Sequence, residues 1–180
     1  LENSGRVDAL RLMAIINFRL ERLDAAWDDF EDLLATGQYR MDALYYMARI
    51  SDYREEYERA VRLYREVQWG INTVFSQRRA SSLLAHQLGD VDGAFKLLDE
   101  FAKESPNYAV EMVVSKAQLL VSLGRFDEGL ALFDKAVEYR PDDEEMMLSR
   151  AALLLEMDRL DDAIAQYRVS YKRWPNSALT

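Results

Sequence analysis

The feature that most constrains this chain is a pattern that returns every 34 residues. Its clearest copy runs from Val110 to Asp143, VEMVVSKAQLLVSLGRFDEGLALFDKAVEYRPDD. Apolar spacing predicts a helix over Met112–Leu123 and a second over Phe126–Tyr139, with Gly124-Arg125 between them and Pro141 after them. Advancing the frame by one period carries Ala117 onto Ala151, Phe126 onto Leu160, Gly129 onto Ala163, Phe133 onto Tyr167 and Pro141 onto Pro175. A fixed period of this size marks stacked units, none of which can bury its apolar face alone. Carried back to the start, the frame predicts five repeats, 7–40, 41–74, 75–108, 110–143 and 144–177, with only Ala109 outside it. They form one array over 1–180, each repeat a hairpin of two helices.

The recurring sites have a physical reason. The eighth position is Ala14, Ala48, Ser82, Ala117 and Ala151, and the twentieth is Ala26, Ala60, Ala94, Gly129 and Ala163. Small side chains there let the two helices of a hairpin approach closely. Large residues fill between hairpins: Leu23, Tyr57, Val91, Phe126 and Leu160 open the second helices, and Phe30, Tyr64, Leu98, Phe133 and Tyr167 follow two turns on along the same face. Gly89 and Gly124 suit the left-handed residue that closes a first helix. Asp90, Asp92, Asp127 and Asp161 are placed to cap the helix starts that follow. Pro106, Pro141 and Pro175 stop second helices. The first two repeats have Glu21 and Glu55 in place of the turn glycine, and Gly37 and Gly70 as helix stops.

This pattern resembles the tetratricopeptide repeat (TPR) family, and the runs LGRFDEGLALFDKAVEYRP and MDRLDDAIAQYRVSYKRWP match it closely. The resemblance implies an all-α helical-repeat solenoid of five helix-turn-helix hairpins in a right-handed superhelix. It also implies a concave groove lined by the first helices. Carried onto this chain, the groove sites are Arg11, Ile15, Phe18 and Arg19 in repeat one, and Tyr45, Arg49 and Tyr53 in repeat two. They are Arg79, Leu83 and His86 in repeat three, Val114 and Gln118 in repeat four, and Leu148 in repeat five. Arginine and tyrosine suit binding hot spots because they join large contact area to a polar tip. The alternative for Arg11, Arg49 and Arg79 is pairing with nearby acids such as Asp8, Asp42 and Asp52. The Lys and Asn pattern with which some TPR modules clamp a chaperone C-terminus is missing: its sites hold Arg11 and Ile15, Tyr45 and Arg49, Arg79 and Leu83.

Composition narrows the function. Half the residues are hydrophobic (49%) and 31% are charged, with no apolar run long enough to span a bilayer, so no membrane insertion is expected of this segment. The net charge of −9 argues against nucleic acid as the main ligand. With no cysteine and only His86 as histidine, no thiolate or histidine metal site is expected. The run Asp142-Asp143-Glu144-Glu145 fits a helix start rather than a calcium loop, and no phosphate loop, nucleophile elbow or zinc helix motif occurs. The reading is a cofactor-free, non-catalytic scaffold that binds a protein or peptide. The alternative is a regulatory segment of a larger enzyme or of a secretion or assembly machine. The LGRFDEGL and MDRLDDAI turns resemble bacterial arrays, among them outer-membrane TPR lipoproteins that recruit periplasmic proteases or cell-wall enzymes. The last helix is apolar on several faces, through Ile164, Tyr167, Val169, Tyr171 and Trp174. That points to further repeats beyond it or to a homo-oligomer through a terminal repeat. Trp27, Trp69 and Trp174 are expected to pack in or between repeats.

Overall fold

A computed structural model describes residues 2–177, with side chains from Gly5 onward. Within them the chain is an all-α helical repeat. The helices are α1 (Glu2–Arg19), α2 (Leu23–Ala35), α3 (Arg40–Tyr53), α4 (Tyr57–Arg65), α5 (Thr73–His86), α6 (Val91–Glu104), α7 (Ala109–Ser122), α8 (Phe126–Tyr139), α9 (Glu144–Glu156) and α10 (Leu160–Arg173). A short 3-10 turn, Pro106–Tyr108, precedes α7. The chain divides into two compact units, 1–97 and 98–180, and the division falls inside α6.

Four inner turns share one construction, a connection of three residues whose middle one is left-handed. Glu21 (φ 57°), Glu55 (φ 60°), Gly124 (φ 74°) and Asp158 (φ 58°) take this place. The predicted glycine site is therefore a backbone requirement that three acidic residues meet at a steric cost of about 1 kcal/mol each. Gly37 (φ 73°) and Gly70 (φ 99°) turn the chain after α2 and α4. Of the capping acids, Asp90 accepts a hydrogen bond from the Gly93 N–H (2.8 Å) and Asp143 one from the Met146 N–H (3.0 Å). The starts of α8 and α10 have no side-chain cap, a departure from the expectation for Asp127 and Asp161, which lie inside those helices.

In unit 1 a core runs through Ala14, Ala26, Trp27, Phe30, Leu33, Met47 and Ile50. Here α2 packs on both α1 and α3. In unit 2 the matching core holds Ala117, Leu130, Phe133, Leu153, Leu154 and Ala163. A Cβ on Gly129 would stand 2.9 Å from Val121 Cγ2 and 3.1 Å from the Ala117 carbonyl, which is why the twentieth position stays small. Trp27 is buried as expected, with the Arg59 guanidinium 3.9 Å from its ring centre. Trp69 is not: it stands exposed after α4, beside Arg40, Arg62 and Arg65.

The third repeat departs from the predicted frame. Its inner turn, 87–90, has four residues where the others have three. Gly89 (φ 69°) keeps the left-handed place and Ala94 keeps the small place on α6, so α5 alone sits one residue earlier. Ser81, not Ser82, fills the buried small position, and Ser76, Gln77 and Leu83 turn inward and are buried. Gln77 then donates from Nε2 to the Val67 carbonyl (3.0 Å) and the Tyr64 carbonyl (3.4 Å). It satisfies carbonyls at the end of α4, where no proline or side-chain cap is present.

Candidate functional site

The residues that could meet a partner in unit 1 lie on the face of α1, α3 and α5 that the core leaves open. Their geometry sorts the three arginines singled out from sequence. Arg11 on α1 is committed: its guanidinium bonds Asp42 on α3 at 2.6 Å and stands 5.0 Å from the Tyr39 ring centre. Tyr39 in turn donates its hydroxyl to Asp8, which raises the phenol above its ordinary value. Arg79 on α5 is committed as well, forking onto both oxygens of Asp52 at 2.6 and 2.8 Å. That hydrogen bond holds Arg79 more firmly protonated than a free arginine. The two ion pairs bridge α1 to α3 and α3 to α5.

Arg49 on α3 is different. No carboxylate lies within ion-pair reach of it among the described residues. Its guanidinium stands 4.7 Å from the Phe18 ring centre and 5.6 Å from the Tyr45 ring centre. Rings on two sides fix a cation without neutralising it. The rings themselves are held in place: Phe18 meets Tyr46 edge-on at 5.2 Å, Tyr46 stacks on buried Phe30 at 5.0 Å, and Tyr45 meets Phe75 edge-on at 5.7 Å. Burial raises the Tyr46 hydroxyl, and burial again, with Asp52 beside it, pushes the Tyr64 hydroxyl far above the phenol range. Both phenols stay neutral and offer Arg49 no phenolate partner.

The other sequence-derived sites divide by burial. Arg19, Tyr53 and His86 are exposed, and Ile15 is half-buried against the core. Leu83 is a correction: the register of α5 places it inside, where no partner can reach it. The same register brings Phe75 and Arg78 outward, the Arg78 guanidinium 6.0 Å from the Phe75 ring centre. The signal for those two was the extra residue between His86 and Val91, which a constant 34-residue frame overlooks. In unit 2, Val114, Gln118 and Leu148 are half-buried, Val114 packing on the core around Leu130 and Phe133. They offer no charge and no ring. Among the described residues no group of three or more His, Asp or Glu could hold a metal ion, and no helix is long and apolar enough to cross a membrane.

Residues 114–178 match the family model for the tetratricopeptide repeat. No curated protein matches the sequence. Several solved structures resemble the chain. A thermophilic TPR protein of Thermus thermophilus, TTC0263, superposes with a TM-score of 0.62 at 23% identity, over 95% of this chain and 93% of its own. MamA of Desulfovibrio magneticus RS-1, from residue 41 to its end, gives 0.61 at 14% identity, over 96% and 97%. YrrB, a TPR protein with an unusual peptide-binding site, gives 0.53 at 16% identity, over 92% and 85%. At these identities the likeness is one of fold.

Proposed function

We propose, from the premise that this chain is a tetratricopeptide repeat protein, that it is a non-catalytic scaffold which holds a segment of a partner protein on the first-helix face of unit 1. The observation that carries this reading is Arg49, charged, unpaired and clamped between the Phe18 and Tyr45 rings. A preformed arginine loses little conformational freedom when a partner carboxylate or carbonyl meets it. Tyr53, Arg19, Phe75 and Arg78 supply exposed ring and cation surface around it. Arg11 and Arg79 serve in this reading as braces between helices. A structural neighbour, YrrB, itself carries a peptide-binding site.

The test compares capture of partners from a lysate of the source organism by the parent chain, by Arg49→Glu and by Arg62→Glu. Arg62 is exposed on α4, on the second-helix side. The partner is retained by Arg62→Glu and lost by roughly tenfold or more, about 1.4 kcal/mol, in a folded Arg49→Glu. Undiminished capture by Arg49→Glu overturns the site. The finer assignment we propose is recruitment of a periplasmic protease or cell-wall enzyme, resting on the likeness of the LGRFDEGL and MDRLDDAI turns to bacterial arrays. A captured partner confined to the cytoplasm overturns it.

A further inference from the structure

A hollow of about 710 Å³ opens where α4 of unit 1 ends, with Arg40, Arg62, Arg65 and Trp69 on its wall. The chain carries a net charge of −9, yet Glu66 is the one acid among the described residues that lines this hollow. Glu66 is already engaged, since it bonds Arg40 at 2.7 Å. Arg62 and Arg65 stand exposed one turn apart on α4, and no carboxylate lies within ion-pair reach of either among the described residues. The negative end of α4 accounts for cations in its last turn. It does not account for Trp69, which is 63% exposed although the segment that carries it is fixed. Val67, two residues before it, is fully buried, and the Val67 carbonyl accepts from Gln77 Nε2 at 3.0 Å. Gln68 donates its backbone N–H to Met41 Sδ at 3.4 Å and its side-chain amide to the Arg65 carbonyl at 2.6 Å. The indole is thus held out beside two open guanidiniums, the pair of side-chain types in which binding energy concentrates.

We propose that this hollow binds an acidic segment of a partner protein, two neighbouring carboxylates meeting Arg62 and Arg65 and an adjacent aromatic side chain lying on Trp69. Charge complementarity names the class. Guanidiniums fork onto carboxylates, and the two here hold no internal acid that a ligand must displace. Exposed charges farther off than about 8 Å are screened at physiological salt, so these arginines act on the segment more strongly than the acids elsewhere on the chain. A simple anion makes no use of the indole. The arginines line a concavity, which suits a chain segment better than a flat lipid surface. The inference is independent of the Arg49 site: that site lies on the first-helix face, and a partner held there is retained by Arg62→Glu.

Fluorescence polarisation tests it, with the full chain titrated into a short labelled peptide that carries two glutamates followed by a phenylalanine. The parent chain binds, and added salt weakens the binding. Arg65→Glu and Trp69→Ala each weaken it by roughly tenfold or more, with unchanged helical circular dichroism because both side chains face solvent. Arg22→Glu, the same charge change at an exposed arginine before α2, leaves it unaltered, as does Arg49→Glu. Peptides with glutamine for the glutamates, or alanine for the phenylalanine, bind more weakly by a similar factor. These peptide arms need no variant, so they decide the matter if Arg65→Glu or Trp69→Ala loses helix. Absence of binding by the parent chain overturns the proposal. So does equal binding of the glutamine peptide, or equal weakening by Arg22→Glu, which marks attraction without a site. Binding to phosphatidylglycerol vesicles that Trp69→Ala abolishes, with no binding of the peptide, assigns the hollow to a lipid surface instead.

Discussion

Units 1 and 2 are built from the same hairpin and join their helices by different chemistry. In unit 1, α1, α3 and α5 are linked by rings and arginines: Phe18, Tyr45, Tyr46 and Phe75 in contact, and Arg11 and Arg79 tied to Asp42 and Asp52. In unit 2 ties join first helices to second helices or to the residue after one: Arg140, just after α8, bonds Glu111 at 2.8 Å, Arg150 bonds Asp134 at 2.6 Å and Lys116 bonds Asp99 at 2.7 Å, as Arg40 bonds Glu66 at 2.7 Å in unit 1. Its open first-helix positions carry Val114, Gln118 and Leu148. The buried positions hardly change between the two, small at the eighth and twentieth places and large at the twenty-fourth. The repeat thus concentrates its sequence constraint on the packed faces and leaves the first-helix face free to differ.

The largest test of this division is a core truncation in each unit. Phe30→Ala removes a fully buried ring stacked on Tyr46, and Phe133→Ala removes its counterpart in unit 2. Each costs about 3–5 kcal/mol. Hydrogen exchange is expected to lose protection mainly in the unit that carries the change, since repeat stability is a sum of local and neighbour terms. Equal loss over both units would show that the division has no energetic meaning.

A smaller effect separates the ties. Asp52, 14% exposed, holds Arg79 and receives the Tyr64 hydroxyl (3.4 Å), whereas Asp99, 62% exposed, holds a lysine amine near the surface. Asp52→Asn is expected to cost about 1–3 kcal/mol, because a half-buried cation loses its counter-charge. Asp99→Asn is expected to cost about 0–1 kcal/mol. Chemical denaturation of the two variants checks the order, and a reversed order would remove the special role given to the unit 1 ties.

The smallest effect lies in the inner turns and has opposite sign in the two units. Glu55→Gly relieves a left-handed non-glycine residue and is expected to stabilise by a few tenths of a kcal/mol up to about 1. Gly124→Ala forces a Cβ into the same conformation and is expected to destabilise by about 1 kcal/mol. Thermal melts of the pair decide whether the conformation, rather than the residue, is what the turn requires.

The hairpins are legible in the sequence because each packed position recurs. Apart from Ser82, the residues at the eighth and twentieth places are buried where the period puts them, as are Phe30, Tyr64, Leu98 and Phe133 at the twenty-fourth. What the period cannot carry is local. A constant frame puts Leu83 at the surface because it has no room for the extra residue at 87–90, and it puts Trp69 into packing although α4 ends four residues before it. The state of each arginine is also illegible. Arg11, Arg49 and Arg79 look alike in sequence, and only the reach of Asp42 and Asp52 separates two braces from one open cation.

The four-residue turn at 87–90 has a consequence for how such a chain can be altered. One residue of helix corresponds to about 100° of rotation about its axis. Lengthening the inner turn by one residue, while Gly89 and Ala94 stay in place, therefore turns α5 like a cylinder on its bearing. Phe75 and Arg78 come out to the display side and Leu83 goes in, while Ala94 keeps its place on the helix that follows. An insertion of a single residue can in this way exchange several of the side chains that one repeat presents, a larger step in surface chemistry than any one substitution in the helix could make.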